Sequence, residues 1–305
     1  MIDEQIDIQR LRDLSPDELR ARADRARRQV CSPRVEICAI MNAKSGACSE
    51  DCAFCAQSAC YGGKAPVYPL KTKAQMREEA RIARDRGAER FSIVTSGPRL
   101  TRDEIGRVGD GVHEIVKTGM RACASLGSIG REDLEFLKSA GLSRYHHNIE
   151  TAESFYPRIV RTHTYMSRIA TIQDAQKTGL EVCSGGIFGM GESLSDRIAM
   201  AHALRVLNVD AVPVNVLVPV RGTPLENIEP LPAQEILRTL ALFRLILGKT
   251  TIILAAGRDR FDVRQAFDSG VNGIMIGDYL TTKGCDAQRD RAMIREVEAS
   301  WQAGI

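Results

Sequence analysis

Short β-rich apolar runs alternate with amphipathic stretches along most of this chain. The runs fall at 35–41 (VEICAIM), 90–96 (RFSIVTS), 121–127 (RACASLG), 143–150 (SRYHHNIE), 181–189 (EVCSGGIFG), 211–219 (AVPVNVLVP), 250–257 (TTIILAAG) and 273–279 (GIMIGDY). Between them lie segments such as REDLEFLKSAG and AQEILRTLALFRLILG, whose apolar residues recur three to four apart, the period of one helix face. Gly141, Gly179 and Gly248 follow helical stretches, where a left-handed cap would fall. Eight strand–helix units without a long interruption predict an α/β fold, a closed (β/α)8 TIM-type barrel. An open doubly wound sheet is the competing architecture. Its dinucleotide fingerprint is missing, because GGIFGMGE lacks the G-x-G-x-x-G spacing and opens the fifth unit rather than the first.

Ahead of the barrel, residues 1–30 read as a charged, mostly exposed helical extension. Ser15 as cap, Pro16 in the first turn and Glu18 at the capping-box position mark a helix start. No linker interrupts the chain, so one domain is expected over 1–305: the extension, a barrel core at 31–285 and a C-terminal helix at 286–305.

Composition narrows the class. Apolar content of 44% and charged content of 27% suit an ordinary globular chain, and a net charge of +3 is too small to argue for nucleic acid. The acidic start MIDEQIDIQR does not read as a signal peptide, and no apolar run reaches the length of a membrane span. Nine cysteines in such a chain point away from disulfides and towards metal or catalysis, with the cytoplasm as the expected address.

The densest chemistry is CSEDCAFC at 48–55, with Cys48, Cys52 and Cys55 in a C-x3-C-x2-C spacing. A structural zinc site wants four ligands, usually in two separated pairs. Three thiolates on one loop hold three corners of a cubane iron–sulfur cluster and leave the fourth iron free for another ligand. In a barrel this loop follows the first strand, at the end that carries active sites. A second set lies inside the strands. Cys38, Cys123 and Cys183 fall two or three residues into strands one, three and five, with Ser92 at similar depth in strand two. Sharing the inward parity, they would form a buried thiol layer beneath the loop, which Arg258 would close from the far side. Packing as small hydrophobes is the plainer role for each of these cysteines. Cys31, Cys60 and Cys285 have no such partners and read as structural.

NAKSGACSEDCAFCAQS (42–58), RACASLGSI (121–129), LEVCSGGIFGMGE (180–192), VPVNVLVPVRGTPL (212–225) and AAGRD (255–259) together resemble the biotin synthase family of radical S-adenosylmethionine enzymes. The likeness runs from about residue 30 to about 285. It implies a full (β/α)8 barrel, a homodimer, a flavodoxin or ferredoxin as reductant, and conversion of dethiobiotin to biotin by sulfur insertion. By position, Cys48, Cys52 and Cys55 match the ligands of the family's [4Fe–4S] cluster, whose open iron takes the amino and carboxylate groups of S-adenosylmethionine. The resemblance implies that one electron from the cluster would cleave the sulfonium to a 5′-deoxyadenosyl radical, chemistry the cofactor would supply and the protein would position. Arg168 matches a carboxylate-binding arginine and Glu150 an acidic residue near the ribose; Gly185, Gly186 and Glu192 fall in the cofactor-binding GGIFGMGE segment. Asn148 and Asn215 match amides that grip the ureido ring, and His146 stands where the family more often has asparagine.

One departure concerns the auxiliary cluster. The best-known family members hold a [2Fe–2S] cluster on three cysteines and an arginine; Cys123, Cys183 and Arg258 match three of these, but the fourth position is Ser92, a poor iron ligand. Cys38 stands where those enzymes carry a serine, as though the thiol had moved to the first strand. The expectation is an auxiliary cluster on Cys38, Cys123 and Cys183, with two irons or four and with Arg258 as ligand or neighbouring charge. Methylornithine synthase and [FeFe]-hydrogenase maturase types share the barrel and loop but not the pairing of Cys123 and Cys183 with Arg258 and Asn215. An iron–sulfur carrier, the reading from outside enzymology, would close all four ligand positions.

Overall fold

The amphipathic stretches become helices, several of them with a cap the sequence supplies. The computed structural model describes residue 11 and residues 13–281, 284 and 286–303. Its helices are α1 (Pro16–Val30), α2 (Lys73–Asp85), α3 (Arg102–Val116), α4 (Arg131–Ser139), α5 (Tyr165–Lys177), α6 (Leu194–Val206), α7 (Ala233–Leu247), α8 (Val263–Asp268) and α9 (Ala287–Ala303). Ser15, Thr72, Thr101 and Ser193 form capping boxes at the starts of α1, α2, α3 and α6, satisfying backbone N–H groups that a helix start leaves unpaired. Gly141, Gly179 and Gly248 take positive φ after α4, α5 and α7, as their positions predict.

The strands are β1 (Glu36–Lys44), β2 (Arg90–Thr95), β3 (Arg121–Ser125), β4 (Leu142–His146), β5 (Glu181–Cys183), β6 (Gly186–Phe188), β7 (Ala211–Val216), β8 (Thr251–Leu254) and β9 (Gly273–Ile276). All pair in parallel in the order β5-β4-β3-β2-β1-β9-β8-β7-β6, and Cys183 meeting Ala211 joins β5 to β7. That contact closes the ring. β5 and β6 are two halves of one strand position, so the barrel has eight.

The break in the fifth position comes from close backbone approach. A Cβ on Gly185 would lie 2.0 Å from the Pro213 carbonyl oxygen, and one on Gly186 would lie 2.0 Å from that of Glu150. Only glycine allows the chain to step sideways there. The continuous strand read over 181–189 is therefore corrected to two short ones.

The N-terminal extension is also more buried than expected. Leu19, Ala23 and Arg27 of α1 are inaccessible and the helix packs along α7, while the Arg27 guanidinium lies 3.7 Å from the centroid of the Trp301 ring in α9. Arginine-rich composition suggested solvent, but an arginine stem covers apolar surface and its head stacks on an aromatic face. Residues 1–10 and Cys285 lie outside the described residues. No described helix is long and apolar enough to cross a membrane.

Candidate active site

Inward-facing strand residues and the loop after β1 enclose one cavity of about 650 Å³. Its deep part is built on the strands. Cys38, Ser92, Cys123 and Cys183 all line it, so the four share the inward parity expected of them. Their register is finer than their sequence depth suggested. Ser92 pairs with Cys123 across β2 and β3, whereas Cys38 stands opposite Arg90, one inward step lower. Cys38 packs with Cys183 and Ile253. Burial pushes the thiols up, Cys183 to about 12; Arg144 pulls all three down and Arg90 acts likewise on Cys123 and Cys183. The Ser92 hydroxyl is buried without a hydrogen-bond partner.

Charged side chains floor this chamber. Arg144 donates to Glu36 Oε1 at 2.6 Å and to Glu181 Oε2 at 2.8 Å; Arg90 donates to Glu181 Oε2 at 2.7 Å and to Glu36 Oε2 at 3.3 Å. Both arginines are almost wholly buried. Two guanidinium groups thus stand beside the inner thiols, each balanced from below by carboxylates.

At the mouth, the loop after β1 folds back on itself. Ala59 N–H donates to the Cys48 carbonyl at 2.7 Å, Cys55 N–H to that of Cys52 at 3.0 Å, and the Gln57 side chain accepts from Ser45 Oγ and Gly46 N–H at 3.0 and 3.1 Å. Ala47 takes φ of 51° to turn the chain into Cys48. The loop docks on 159–163 through Ala53 N–H to the Ile159 carbonyl at 2.9 Å and Asp51 Oδ1 from Arg161 N–H at 2.9 Å. Cys48, Cys52 and Cys55 line the cavity together, while exposed Cys60 bonds weakly to the Ser49 carbonyl outside it. Among the described residues, no three Cys, His, Asp or Glu side chains converge on a single metal ion. Thiols that hold a multinuclear cluster each take a different iron, so such a set need not converge on one point.

Between the two thiol groups stand the polar residues predicted for cofactor and substrate. Glu150 takes φ of 67°, strained for a residue with a Cβ. Its N–H donates to the Gly185 carbonyl and its own carbonyl accepts from Ile187 N–H, which bridges the split fifth strand. Burial raises the Glu150 carboxyl, and Arg168, 3.5 Å away, opposes that rise. Arg168 donates to the Asn148 carbonyl at 2.9 Å and to Tyr156 Oη at 2.8 Å. Asn148 spans Gly185 N–H at 3.0 Å and Glu150 Oε2 at 3.2 Å; Asn215 spans the Gly186 carbonyl and Ala256 N–H, each at 3.2 Å. Each amide keeps a second N–H and a second lone pair for a ligand. Burial, with Arg168 and Arg144, pushes His146 down to about 4, so its ring is neutral near pH 7.

Four predicted residues stand apart from the cavity. Arg258 does not line it. Its guanidinium donates to Asp290 Oδ1 at 2.9 Å and Oδ2 at 2.5 Å, and to Tyr279 Oη at 3.0 Å. The expectation that Arg258 closes the thiol chamber is corrected: it clamps α9, and Arg90 and Arg144 are the chamber's guanidinium groups. Gly185 and Gly186 serve close backbone packing, and Glu192 accepts from Gly189 and Met190 N–H at 2.9 and 2.7 Å behind the wall. Sequence reasoning missed Arg90, Arg144, Glu50 and His163, all of which line the cavity. Glu50 and Asp51 inside the cysteine loop were the available signal, since carboxylates between thiolate ligands need partners.

The cavity thus carries two donor sets whose chemistry suits iron–sulfur clusters: three thiols on one loop with Arg168 and Glu150 lining the same cavity, and three inner thiols with an unpartnered Ser92 hydroxyl and the Arg90 and Arg144 guanidinium groups. Comparison with known proteins bears on this. The Radical SAM superfamily profile matches residues 43–204 and the Biotin and Thiamin Synthesis associated domain matches 213–300. A biotin synthase of Thermotoga neapolitana is 47% identical over 273 residues, covering 88% of this chain and 98% of that one. One from Desulforudis audaxviator is 50% identical over 284 residues, covering 90% and 85%. Among solved structures, methylornithine synthase superimposes with a TM-score of 0.80 at 18% identity, covering 98% of this chain and 96% of that one. The hydrogenase maturase HydG of Carboxydothermus hydrogenoformans gives 0.78 at 17% identity, covering 95% and 72%. At such identities these two speak for the barrel alone.

Proposed function

This chain belongs to the biotin synthase family of radical S-adenosylmethionine enzymes, and from that premise we propose that it inserts sulfur into dethiobiotin to give biotin. Membership brings a [4Fe–4S] cluster, S-adenosylmethionine and an auxiliary cluster. When bound, these groups supply the electron that breaks the sulfonium and the sulfur that enters the product. The chain's own work is holding and orienting. Cys48, Cys52 and Cys55 hold the first cluster; Arg168 receives the carboxylate of S-adenosylmethionine, and Glu150 its ribose. His146, neutral, offers the substrate a hydrogen-bond donor or acceptor, and the spare capacity of Asn148 and Asn215 suits a ureido group, which needs both. Cys38, Cys123 and Cys183 hold the auxiliary cluster, with Arg90 and Arg144 offsetting its charge.

One observation supports this most: two groups of three cysteines line one cavity together with Arg168 and Glu150. The reading carries with it a reducing flavodoxin or ferredoxin, a homodimer and a cytoplasmic setting. Anaerobically reconstituted protein given dithionite, S-adenosylmethionine and dethiobiotin should yield biotin and 5′-deoxyadenosine. Formation of 5′-deoxyadenosine with dethiobiotin untouched would refute sulfur insertion.

A further inference from the structure

A chain of contacts joins the cysteine loop to Arg168 through the histidine at 163. Glu50 lies between Cys48 and Cys52; its Oε2 accepts from Thr162 Oγ1 at 2.5 Å and meets His163 Nδ1. On the other side of the ring, His163 Nε2 receives the Arg168 Nε–H at 3.1 Å, a proton shared with Tyr156 Oη at 2.8 Å. The Tyr156 ring stands edge-on to the imidazole, with centroids 6.1 Å apart. Arginine offers donors only, so Nε2 carries no proton. The proton therefore sits on Nδ1 and is donated to Glu50. Contacts on both sides select one neutral tautomer and one ring orientation.

The consequence falls on the guanidinium. Its Nε edge is held by His163 and Tyr156, and Nη1 is held by the Asn148 carbonyl with Glu150 nearby. Nη2 has no acceptor among the described residues, while Arg168 lines the cavity. A planar guanidinium secured at Nε and Nη1 presents Nη2 to the cavity at a fixed angle, where a carboxylate oxygen would accept. We infer that His163 is a positioning residue: by accepting from Arg168 and donating to Glu50 it ties the presentation of the carboxylate-binding arginine to the seating of the cysteine loop. The inference rests on the proposed function in taking Arg168 as the receptor for the carboxylate of S-adenosylmethionine.

Two replacements separate this role from simple anchoring of the loop. Asparagine places its amide near the position of Nδ1 and keeps the Glu50 contact; glutamine reaches the position of Nε2 and keeps an acceptor for Arg168. Reconstituted wild type, His163→Ala, His163→Asn and His163→Gln are compared by equilibrium dialysis of radiolabelled S-adenosylmethionine without dethiobiotin, with iron per chain measured on the same samples. Loss of one charge-assisted hydrogen bond predicts binding weakened roughly tenfold in His163→Ala and His163→Asn. His163→Gln should stay within roughly threefold of wild type, and iron should match wild type in all three. Equal affinity in every variant overturns the inference. So does affinity retained in Asn but lost in Gln, or iron lost from all three, since either makes His163 a loop anchor. Wild type that fails to bind S-adenosylmethionine would overturn the reading of Arg168 and the inference with it.

Discussion

Replacing Asp290 tests whether Arg258 is a structural clamp or an iron ligand. The two side chains are 3% and 4% exposed and joined by two hydrogen bonds. Asp290→Ala leaves the guanidinium buried with Tyr279 as its remaining partner, which costs about 3–5 kcal/mol. At about 2.1 cal/mol/K per residue, unfolding of a 305-residue chain carries about 0.6 kcal/mol per degree. The apparent midpoint of the iron-free chain should then fall by about 5–8 °C. Arg258→Ala should fall similarly, because it strands the carboxylate instead. The double change Arg258→Met with Asp290→Leu should recover most of the loss, since well-packed apolar groups often replace a buried pair without penalty. Differential scanning calorimetry on the apo chains reads the midpoints, and iron analysis after reconstitution reads loading. All three variants should load both clusters at wild-type iron per chain. The reasoning is refuted if Arg258→Ala keeps its midpoint but loses iron that Asp290→Ala retains, for then the guanidinium serves a cluster and the clamp is incidental.

Other consequences attach to particular contacts. Gly185→Ala drives a methyl to 2.0 Å from the Pro213 carbonyl, so the barrel must open at β5–β7; expression as soluble protein should collapse, with a cost of about 3 kcal/mol or more read by urea titration of whatever folds. Cys38→Ala should deplete inner-chamber iron, and adding Ser92→Cys should restore part of it, because Ser92 faces the same chamber beside Cys123; no recovery would mean that the β2 position is out of reach. Burial raises the Glu104 carboxyl, but the hydrogen bonds from Lys44 and the Thr101 cap outweigh it and hold the group below its ordinary range. A lowered folded pKa gives stability that is present above the unfolded value and is lost as pH falls through the folded one. Glu104→Gln should thus cost about 1 kcal/mol at pH 7, with the gap to wild type closing as pH falls below the ordinary carboxylate range, as followed by chemical denaturation at each pH.

Legibility in the sequence divides by the range of the interactions. Strand and helix periods, capping boxes and glycine caps are local, and the eight-position barrel came from them. The split at Gly185 depends on Pro213 and Glu150 approaching from other strands, so EVCSGGIFG looked continuous. The three loop cysteines announce themselves by spacing; the inner thiols needed the parity of three strands, which periodicity supplied, but not the register that sets Cys38 below Ser92. Arg258 was misplaced because its partner Asp290 lies 32 residues downstream on α9. His163 was overlooked because Glu50 is 113 residues away. Arginine and histidine roles are set by whichever acceptor the fold delivers, and a linear pattern does not carry that information.

Cys38, Cys123 and Cys183 are proposed to hold a second cluster independent of the loop. The measurement is iron and sulfide content with Mössbauer spectra on anaerobically reconstituted protein in which Cys48, Cys52 and Cys55 are alanine, with and without Cys38→Ala. Iron and sulfide should be retained in the triple variant and lost when Cys38 is also replaced. A triple variant that takes up no iron would contradict the proposal and make the inner cysteines packing residues.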